Sequence, residues 1–541
     1  MRQTILSVTL EVKPESAAKL TALIDQLHND ANEGPGEGDF AAFMAKVPSI
    51  HFLSMNVFRA ADYDPVFVIE ANMDGGPGAF WGQLENAIGE TLRAMLRCCK
   101  RPLDGDGALY TAVAAADSRQ AVAPYFEARA HRPSVFHQGN RGMTRDRILA
   151  ERDLFLAIRD EFLKANDGAA SPYRDVTPAQ VHSRLRDALL DRGFAWLKQK
   201  PPTRISTTEH IFDWMKFAAF VVLAILAVSL PGLLLAPVTP TGRFFLLLAI
   251  ACIVIAIPLY RIREPLAGTG VSKPWAWLFS LAKALPLALI GVAIYALCAI
   301  PIAALAYWAV SGLPRDAVIR QGARMVALGL ASAAFFSLPG LLLWLRTLER
   351  GDSSHDAPPI DEEEMRQMVQ REDWIPQNHM GSIVLLKPGV LRTIIVHAGH
   401  LALHLLLRAK ATNGYLGSMR TVHFAHWAFV NNGGRLMFFS NFDQSWESYL
   451  DDFIEKAHVG LTLAWGCGAG FPATRFLILD GASHGSKFKA WARHSMAVSR
   501  FWYSAYPDLT VDQIERNNRI ANALRKTSLS EKEALAWIDE L

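Results

Sequence analysis

Four long apolar stretches between residues 212 and 348 limit what this chain can fold into more than any other feature of its sequence. They run Phe217–Val238, Phe244–Tyr260, Trp275–Val310 and Met325–Leu345, and each approaches or exceeds the roughly 20 residues an α-helix needs to cross a bilayer. The third carries Pro286 and Pro301, which predicts one kinked, tilted helix or an interfacial turn followed by a span. Charges collect at the ends of the stretches, as Lys216, Arg243, Arg346 and Arg350 do. A transport pathway needs ionisable or broken-helix sites within its spans, so the block reads as an anchor of about four helices. An even number of spans returns the chain to its starting side. Lys198, Lys200 and Arg204 before the first span, with Arg261, Arg263 and Lys273 between the second and third, put that side in the cytoplasm.

The rest of the composition excludes more than it selects. Apolar residues make up 51% of the 541 positions, while 55 Lys and Arg against 52 Asp and Glu leave a net charge of +3. No global basic field points to nucleic acid. The five cysteines, Cys98, Cys99, Cys252, Cys298 and Cys467, form no CxxC pair, which suits a reducing compartment without a disulfide framework. Residues 1–14 alternate like a strand and lack the charged start and apolar core of a signal peptide. The expected setting is the inner, cytoplasmic membrane, crossed several times, with the lipid bilayer as the main partner and both soluble parts on the cytoplasmic side.

Those soluble parts repeat each other. A strand ending Val8–Pro14 and a helix from about Glu15 to Asp30 are matched by Ile383–Pro388 and a helix from about Val390 to Lys410. Then Ser49-Ile-His51-Phe52 matches Thr421-Val-His423-Phe424, and Ala71-Asn72-Met-Asp74 matches Ser440-Asn441-Phe-Asp443. An amphipathic helix with an aromatic start follows each, at Phe80-Trp81 and at Trp446. Last strands are expected at Ala108–Ala114 and Thr474–Leu479, and closing helices at Thr144-Arg-Asp146 and Thr510-Val-Asp512. Landmarks recurring in one order at similar spacing indicate duplication, and the order βαββαβ is that of a ferredoxin-like unit.

Such a sheet has helices on one face and a bare apolar face on the other. The fold class is therefore α+β, with two ferredoxin-like modules packing as an intrachain pseudodimer beside an all-α transmembrane block. The boundaries are 1–165 for the first module, 166–211 for a connecting segment, 212–348 for the membrane block, 349–379 for an acidic linker running toward Trp374, and 380–541 for the second module.

Paired βαββαβ units with the run Thr421-Val-His423-Phe424-Ala-His426-Trp427 and Ser440-Asn441-Phe-Asp443-Gln-Ser-Trp446 resemble the dimeric α/β-barrel superfamily that includes dye-decolourising peroxidases and chlorite dismutase-like haem proteins. The resemblance covers about half of the chain. It implies haem as cofactor and a membrane-anchored, peroxidase-like oxidoreductase acting on a hydrophobic or lipid-like small molecule at the cytoplasmic face. The reacting set would be His423, His51, Asn441 and Asp443, and the histidines nearest a cofactor would be His423, His426 and His137. A non-enzymatic, membrane-tethered ligand-binding or scaffold protein is the alternative, because paired modules of this kind also bind without reacting.

Each candidate also has a plain structural reading. His51 and His423 hold equivalent places at a strand start, where an imidazole ligates iron, shuttles a proton or simply fills its hydrogen bonds. Asn72, Asp74, Asn441 and Asp443 end strands ahead of helices, where such side chains cap exposed N–H groups. His397, His400 and His404 share one face of an unusually apolar helix, but no carboxylate completes a zinc-protease pattern. That helix should lie against lipid, the membrane block or an apolar ligand. His137 lies in a glycine-bearing loop ahead of the Thr144 helix, which reads as an anion-receiving turn or a plain one. Gly481-Ala-Ser483-His-Gly485 spells the bare GxSxG pattern, but the resemblance to a nucleophile turn is superficial, since the sequence spells out no Ser/His/Asp set around it.

Overall fold

The structure, a computed structural model, describes residues 3–32, 41–60, 63–166, 171–266, 276–311, 314–353, 359–372, 375–412, 414–416 and 418–541. Lys273, Trp275 and Trp374 lie outside the described residues. The first half runs β1 (Gln3–Glu11), α1 (Ala17–Asn32), α2 (Ala41–Lys46), β2 (Ile50–Ala60), β3 (Tyr63–Asp74), α3 (Pro77–Arg97), α4 (Gly107–Ala114), α5 (Ala123–Ala128), β4 (Ala130–His131), β5 (Val135–Gln138), α6 (Arg145–Asn166) and α7 (Pro178–Asp191). The apolar helices follow: α8 (Thr207–Leu235), α9 (Thr241–Ile262), α10 (Ala276–Ser311), and α11 (Arg315–Ser332), which passes through a π-helical turn at Ala333–Ser337 into α12 (Leu338–Arg350). The second half runs α13 (Glu362–Gln370), β6 (Gln377–Leu385), α14 (Val390–Lys410), β7 (Val422–Val430), β8 (Arg435–Asp443), α15 (Trp446–Trp465), β9 (Thr474–Arg475), β10 (Leu479–Asp480), α16 (Gly485–Ser495), β11 (Phe501–Ser504), α17 (Val511–Arg525) and α18 (Glu531–Ile538).

Two antiparallel sheets carry the soluble body, ordered β11-β2-β3-β1-β4 and β5-β7-β8-β6. Each therefore holds a strand from the other half. Phe501–Ser504 pairs with Met55–Phe52, and Val135–Gln138 pairs with Trp427–Phe424. The expected last strands are corrected by this arrangement. Residues 107–114 are helix α4, whose Ala-rich run buries Tyr110 and Val113 three residues apart, and 474–479 holds only the two-residue ladders β9 and β10. A short apolar run does not declare its period.

The alternation of β3 and β8 explains why both faces of each sheet are covered. Phe67, Ile69, Ala71 and Met73 join the helix-side core of the first sheet, as Leu436, Phe438 and Phe442 do in the second. The alternate residues Val66 and Val68 meet Met437 and Phe439 in a core between the sheets, completed by Phe58, Ile383, Ala428 and Val430. Successive side chains of a strand point to opposite faces, so these near-continuous apolar strands serve two cores at once. Beyond the sheets, α6 and α7 form a helical cluster with α17 and α18, so much of the expected 166–211 connector is packed structure.

Among the described residues, five helices are long and apolar enough to cross a membrane: Thr207–Leu235, Thr241–Ile262, Leu285–Ala309, Asp316–Arg350 and Val390–Lys410. The first four agree with the expected block, and the fifth is α14. Where α8 and α11 cross, a Cβ on Gly232 would meet Ser332 Cβ at 2.5 Å, so glycine is what lets the two backbones approach.

Buried and partly buried ion pairs fasten the apolar helices to the soluble body. Arg141 donates to Glu209 and, at 2.8 Å, to Asp213 near the start of α8, while Arg408 of α14 donates to Glu209 at 2.8 Å. Arg204, just ahead of α8, grips both oxygens of Glu515 at 2.7 and 2.8 Å. At the end of α12, Arg346 donates to the carbonyls of Ile262, Glu264 and Thr474 and pairs with Glu349 at 3.0 Å. The expected acidic linker thus begins with a buried residue rather than a solvated one.

Candidate functional site between the sheets

The two candidate histidines sit at matching irregularities. In the first sheet the register shifts between Ile50 and Phe52, and in the second between Val422 and Phe424, leaving His51 and His423 as the extra residues of two β-bulges. A bulge re-aims a side chain where a ladder ends. His423 Nε2 lies 2.7 Å from Asp443 Oδ1, and His51 Nε2 lies 3.3 Å from Asp74 Oδ1. The second oxygen of each carboxylate accepts from the first N–H of a remote helix: Val511 N to Asp443 at 2.8 Å, and Arg145 N to Asp74 at 2.7 Å. Capping is thus the role both aspartates have. The helices they cap are α17 and α6, not α15 and α3, which follow them in sequence.

The halves differ in what faces the second imidazole nitrogen. His51 Nδ1 lies 2.9 Å from the Tyr506 hydroxyl. Asn140 holds the corresponding place in the other half, and its amide donates to Glu515 at 2.7 Å instead. His423 Nδ1 is buried with no hydrogen-bond partner among the described residues.

Between the two bulges lies a polar patch of the inter-sheet layer with no close sequence forewarning. Glu70 is fully buried on β3, opposite Ser7 of β1. Asn72 Nδ2 donates to its Oε1, and Ser54 Oγ approaches Oε2 at 3.5 Å. Burial pushes the Glu70 carboxyl up to about 8 against these hydrogen bonds and that of Asn441, because desolvation disfavours the charged form. His426, from the other half, sets Nε2 2.8 Å from Ser7 Oγ and Nδ1 3.9 Å from Glu70 Oε1. Burial lowers its imidazole to about 3. His379 is lowered to about 3 by burial and, second, by His426. Its ring stacks on Trp502, whose Nε1 donates to Asn441 Oδ1 at 2.8 Å.

Ser7, His426 and Glu70 stand in the order of a nucleophile, its base and the carboxylate that orients the base. Their geometry argues for a closed network. A 3.9 Å separation exceeds a hydrogen bond, Glu70 holds its own proton near neutrality, and all three are shut from solvent.

The other predicted residues are separated from this layer. His137 pairs with Ala425, which faces the helix-side core, so it lies on the opposite face of the sheet from His426. Burial there lowers its imidazole to about 4 against a hydrogen bond to the Val422 carbonyl. Gly139 beyond it is required by packing, since a Cβ would meet the Val422 carbonyl oxygen at 2.4 Å. The α14 histidines are engaged one by one: His397 stacks on Phe429, His400 bridges Ser134 Oγ and the Ala464 carbonyl at 2.9 and 3.1 Å, and His404 packs on Phe136. Among the described residues no three His, Cys, Asp or Glu converge as a metal would need.

A haem does not fit at these histidines. His51 has Phe424 and Tyr506 at ring separations of 5.4 and 5.8 Å, and His423 has Phe52 and Tyr506 at 5.3 and 6.1 Å. These rings pack against both imidazoles where a porphyrin plane would have to lie, and one nitrogen of each faces a carboxylate. Two clefts border the layer. Asp443 lines a cleft of about 460 Å³ with Arg420, Lys456, Asp452 and Asp512, and His379 and Trp502 line one of about 40 Å³.

Glu70, Ser7, Trp502 and Tyr506 enter the site without a sequence motif that announces them. A lone carboxylate inside the apolar run Val66–Met73 was the one available signal. No family model matches the chain, and no match was found among curated proteins or solved structures.

Proposed function

We propose that this is a membrane-tethered binding or scaffold protein rather than a haem enzyme, built from two copies of one ferredoxin-like module on the cytoplasmic side of the inner membrane. The observation that carries the reading is that the paired histidines are built into joints between elements. Each is buried on a bulge, held by a carboxylate that also caps a remote helix.

Equal registers support the duplication. Gln3 opposes Asp74 as Gln377 opposes Asp443, and both bulges fall on the histidine. The Thr-x-Asp landmarks also match, since Thr144 and Thr510 each accept from the N–H three residues on, at 3.3 and 3.2 Å. The exchanged strands require both halves to share one side of any bilayer the helices cross, and the Lys and Arg flanks favour the cytoplasm. A small polar ligand would be received in the cleft beside Asp443.

The test is an absorbance spectrum of purified protein after haem supplementation, with metal analysis. No Soret band and no stoichiometric metal are expected. A stoichiometric Soret band that His423→Ala removes would overturn the reading.

One observation favours the second reading, an oxidoreductase acting on an apolar or lipid-like molecule. Tyr506, His51 and Asp74 form a phenol–imidazole–carboxylate run beside Trp502 stacked on Phe52, an arrangement suited to moving a phenol proton. It requires that the purified protein oxidise a reporter phenol with hydrogen peroxide and that His51→Ala abolish the reaction.

A further inference from the structure

We infer that α14, long and apolar enough to cross a membrane, is an in-plane helix that seats the second sheet on the lipid surface. Crossing the bilayer is ruled out by connectivity. Strand β6 precedes α14 and β7 follows it, and both pair with β8 in one sheet, so the two ends of α14 share one side of the membrane. The end contacts say the same. Near its start, Arg392 donates to the Leu348 carbonyl at 3.0 Å and Lys387 pairs with Asp352 at 2.8 Å, at the close of the last apolar helix. Near its end, Arg408 donates to Glu209 at the opening of the first.

One face of α14 is spoken for. Val396 and His400 are buried, and His400 bonds Ser134 of β5's approach and Ala464 of α15. The other face carries Val390, Ile394 and Leu401, exposed to 72%, 60% and 47%, at spacings of four and seven that align them along one stripe. Large aliphatic side chains in that pattern on a helix need an apolar cover.

The bilayer is the occupant that fits. The helix lies against α8, whose own exposed apolar residues Leu223, Leu226 and Leu230 belong to a span, so the stripe continues a lipid-facing surface. Of the basic residues near its ends, Arg392 and Arg408 hold the membrane helices, while Lys410 is exposed in the last turn, where a lysine reaches the headgroup region. The inference rests on the membrane setting but not on the proposed binding role.

The experiment places a single environment-sensitive fluorophore at Ile394→Cys or Leu401→Cys of the full chain. The background has all native cysteines replaced, and the protein is reconstituted in nanodiscs at one copy per disc. Doxyl-labelled lipids carry the quencher near the headgroup or near the bilayer centre, and iodide reports water. Comparable quenching of both sites by the shallow lipid, at least twofold over the deep lipid and over iodide, is expected. Deep quenching that grows from one site to the other would make α14 a span. Iodide quenching would leave the stripe in water, and protection from all three quenchers would mean a protein cover; each of these overturns the inference. Retention of the parent thermal midpoint by the labelled variants confirms that the fold is intact.

Discussion

Replacing Glu349 by alanine is expected to cost about 3–5 kcal/mol of unfolding free energy, the usual penalty for removing one partner of a buried ion pair. The carboxylate pairs with Arg346 and also accepts from Leu477 N, Phe476 N and Thr474 Oγ1 at 2.8 to 2.9 Å. Phe476 and Leu477 hold φ of 58° and 54°, a left-handed conformation that costs roughly 1–2 kcal/mol per bulky residue. Two successive N–H groups turned the same way make a nest for an anion, and Glu349 fills it. Without it Arg346, wholly buried, keeps its charge without a counter-ion, and the strained turn loses its reason to persist. Glu349→Gln keeps an acceptor but not the charge, and should fall between. Denaturant unfolding in detergent, followed by tryptophan fluorescence, reads the difference. Because this cluster ties α12 and the end of α9 to the 474–477 loop, the loss should fall first on the joint between membrane helices and sheets.

The second large effect is a pH dependence with a definite sign. Glu70 rises from a model-compound value of 4.5 to about 8 on folding. Between those values the folded protein holds a proton that the unfolded chain has released, so stability falls as pH rises. The slope of that one group is about 1.4 kcal/mol per pH unit, and it vanishes above the folded value. Glu70→Gln, which cannot ionise but keeps an oxygen for Asn72 and Ser54, should remove that contribution. The variant should match the parent near pH 5 and exceed it by several kcal/mol near pH 8. Unfolding curves of both proteins across that range check the claim, and equal slopes would show that Glu70 is ionised within the fold. Near neutrality the layer then carries no net charge at Glu70 or His426, which suits a permanent interface between two halves. The hydrogen bonds from Ser7 to His426, Asn72 to Glu70 and Trp502 to Asn441 also favour one alignment of the two sheets.

Periodicity made much of this legible. The four apolar stretches became α8 to α12 because each is long and apolar enough to cross a bilayer. The His51/His423 and Asp74/Asp443 correspondences were readable because each pair lies at the same offset from a strand end, and the structure sets both on bulges beside the same kind of cap. Strands β5 and β11 were illegible for a physical reason. Each is four residues long and pairs with residues hundreds of positions away, so nothing local distinguishes it from a loop. The apolar run at 107–114 took the place that β5 should have had. Glu70 was equally hidden in role. A carboxylate in a strand reads as solvent-facing until its sheet is known to be covered on both sides. The excess apolarity of α14 was plain in the sequence, but its meaning required knowing that β6 and β7 share a sheet.

The central claim is that the halves trade strands, and a cross-strand disulfide tests it most directly. Ser54 of the first half faces Trp502 of the second across the β2–β11 ladder. The adjacent bond from Ala505 N to the His51 carbonyl fixes the alternation so that 54 and 502 form a non-hydrogen-bonded pair, the closer kind. With the native cysteines replaced, mild oxidation of the folded Ser54→Cys/Trp502→Cys protein should yield a peptide linking the two positions, detected by mass spectrometry in most molecules. If no such link forms while a control pair across β2 and β3, Ser54→Cys with Glu70→Cys, oxidises readily, β11 does not belong to the first sheet and the interleaved body is wrong.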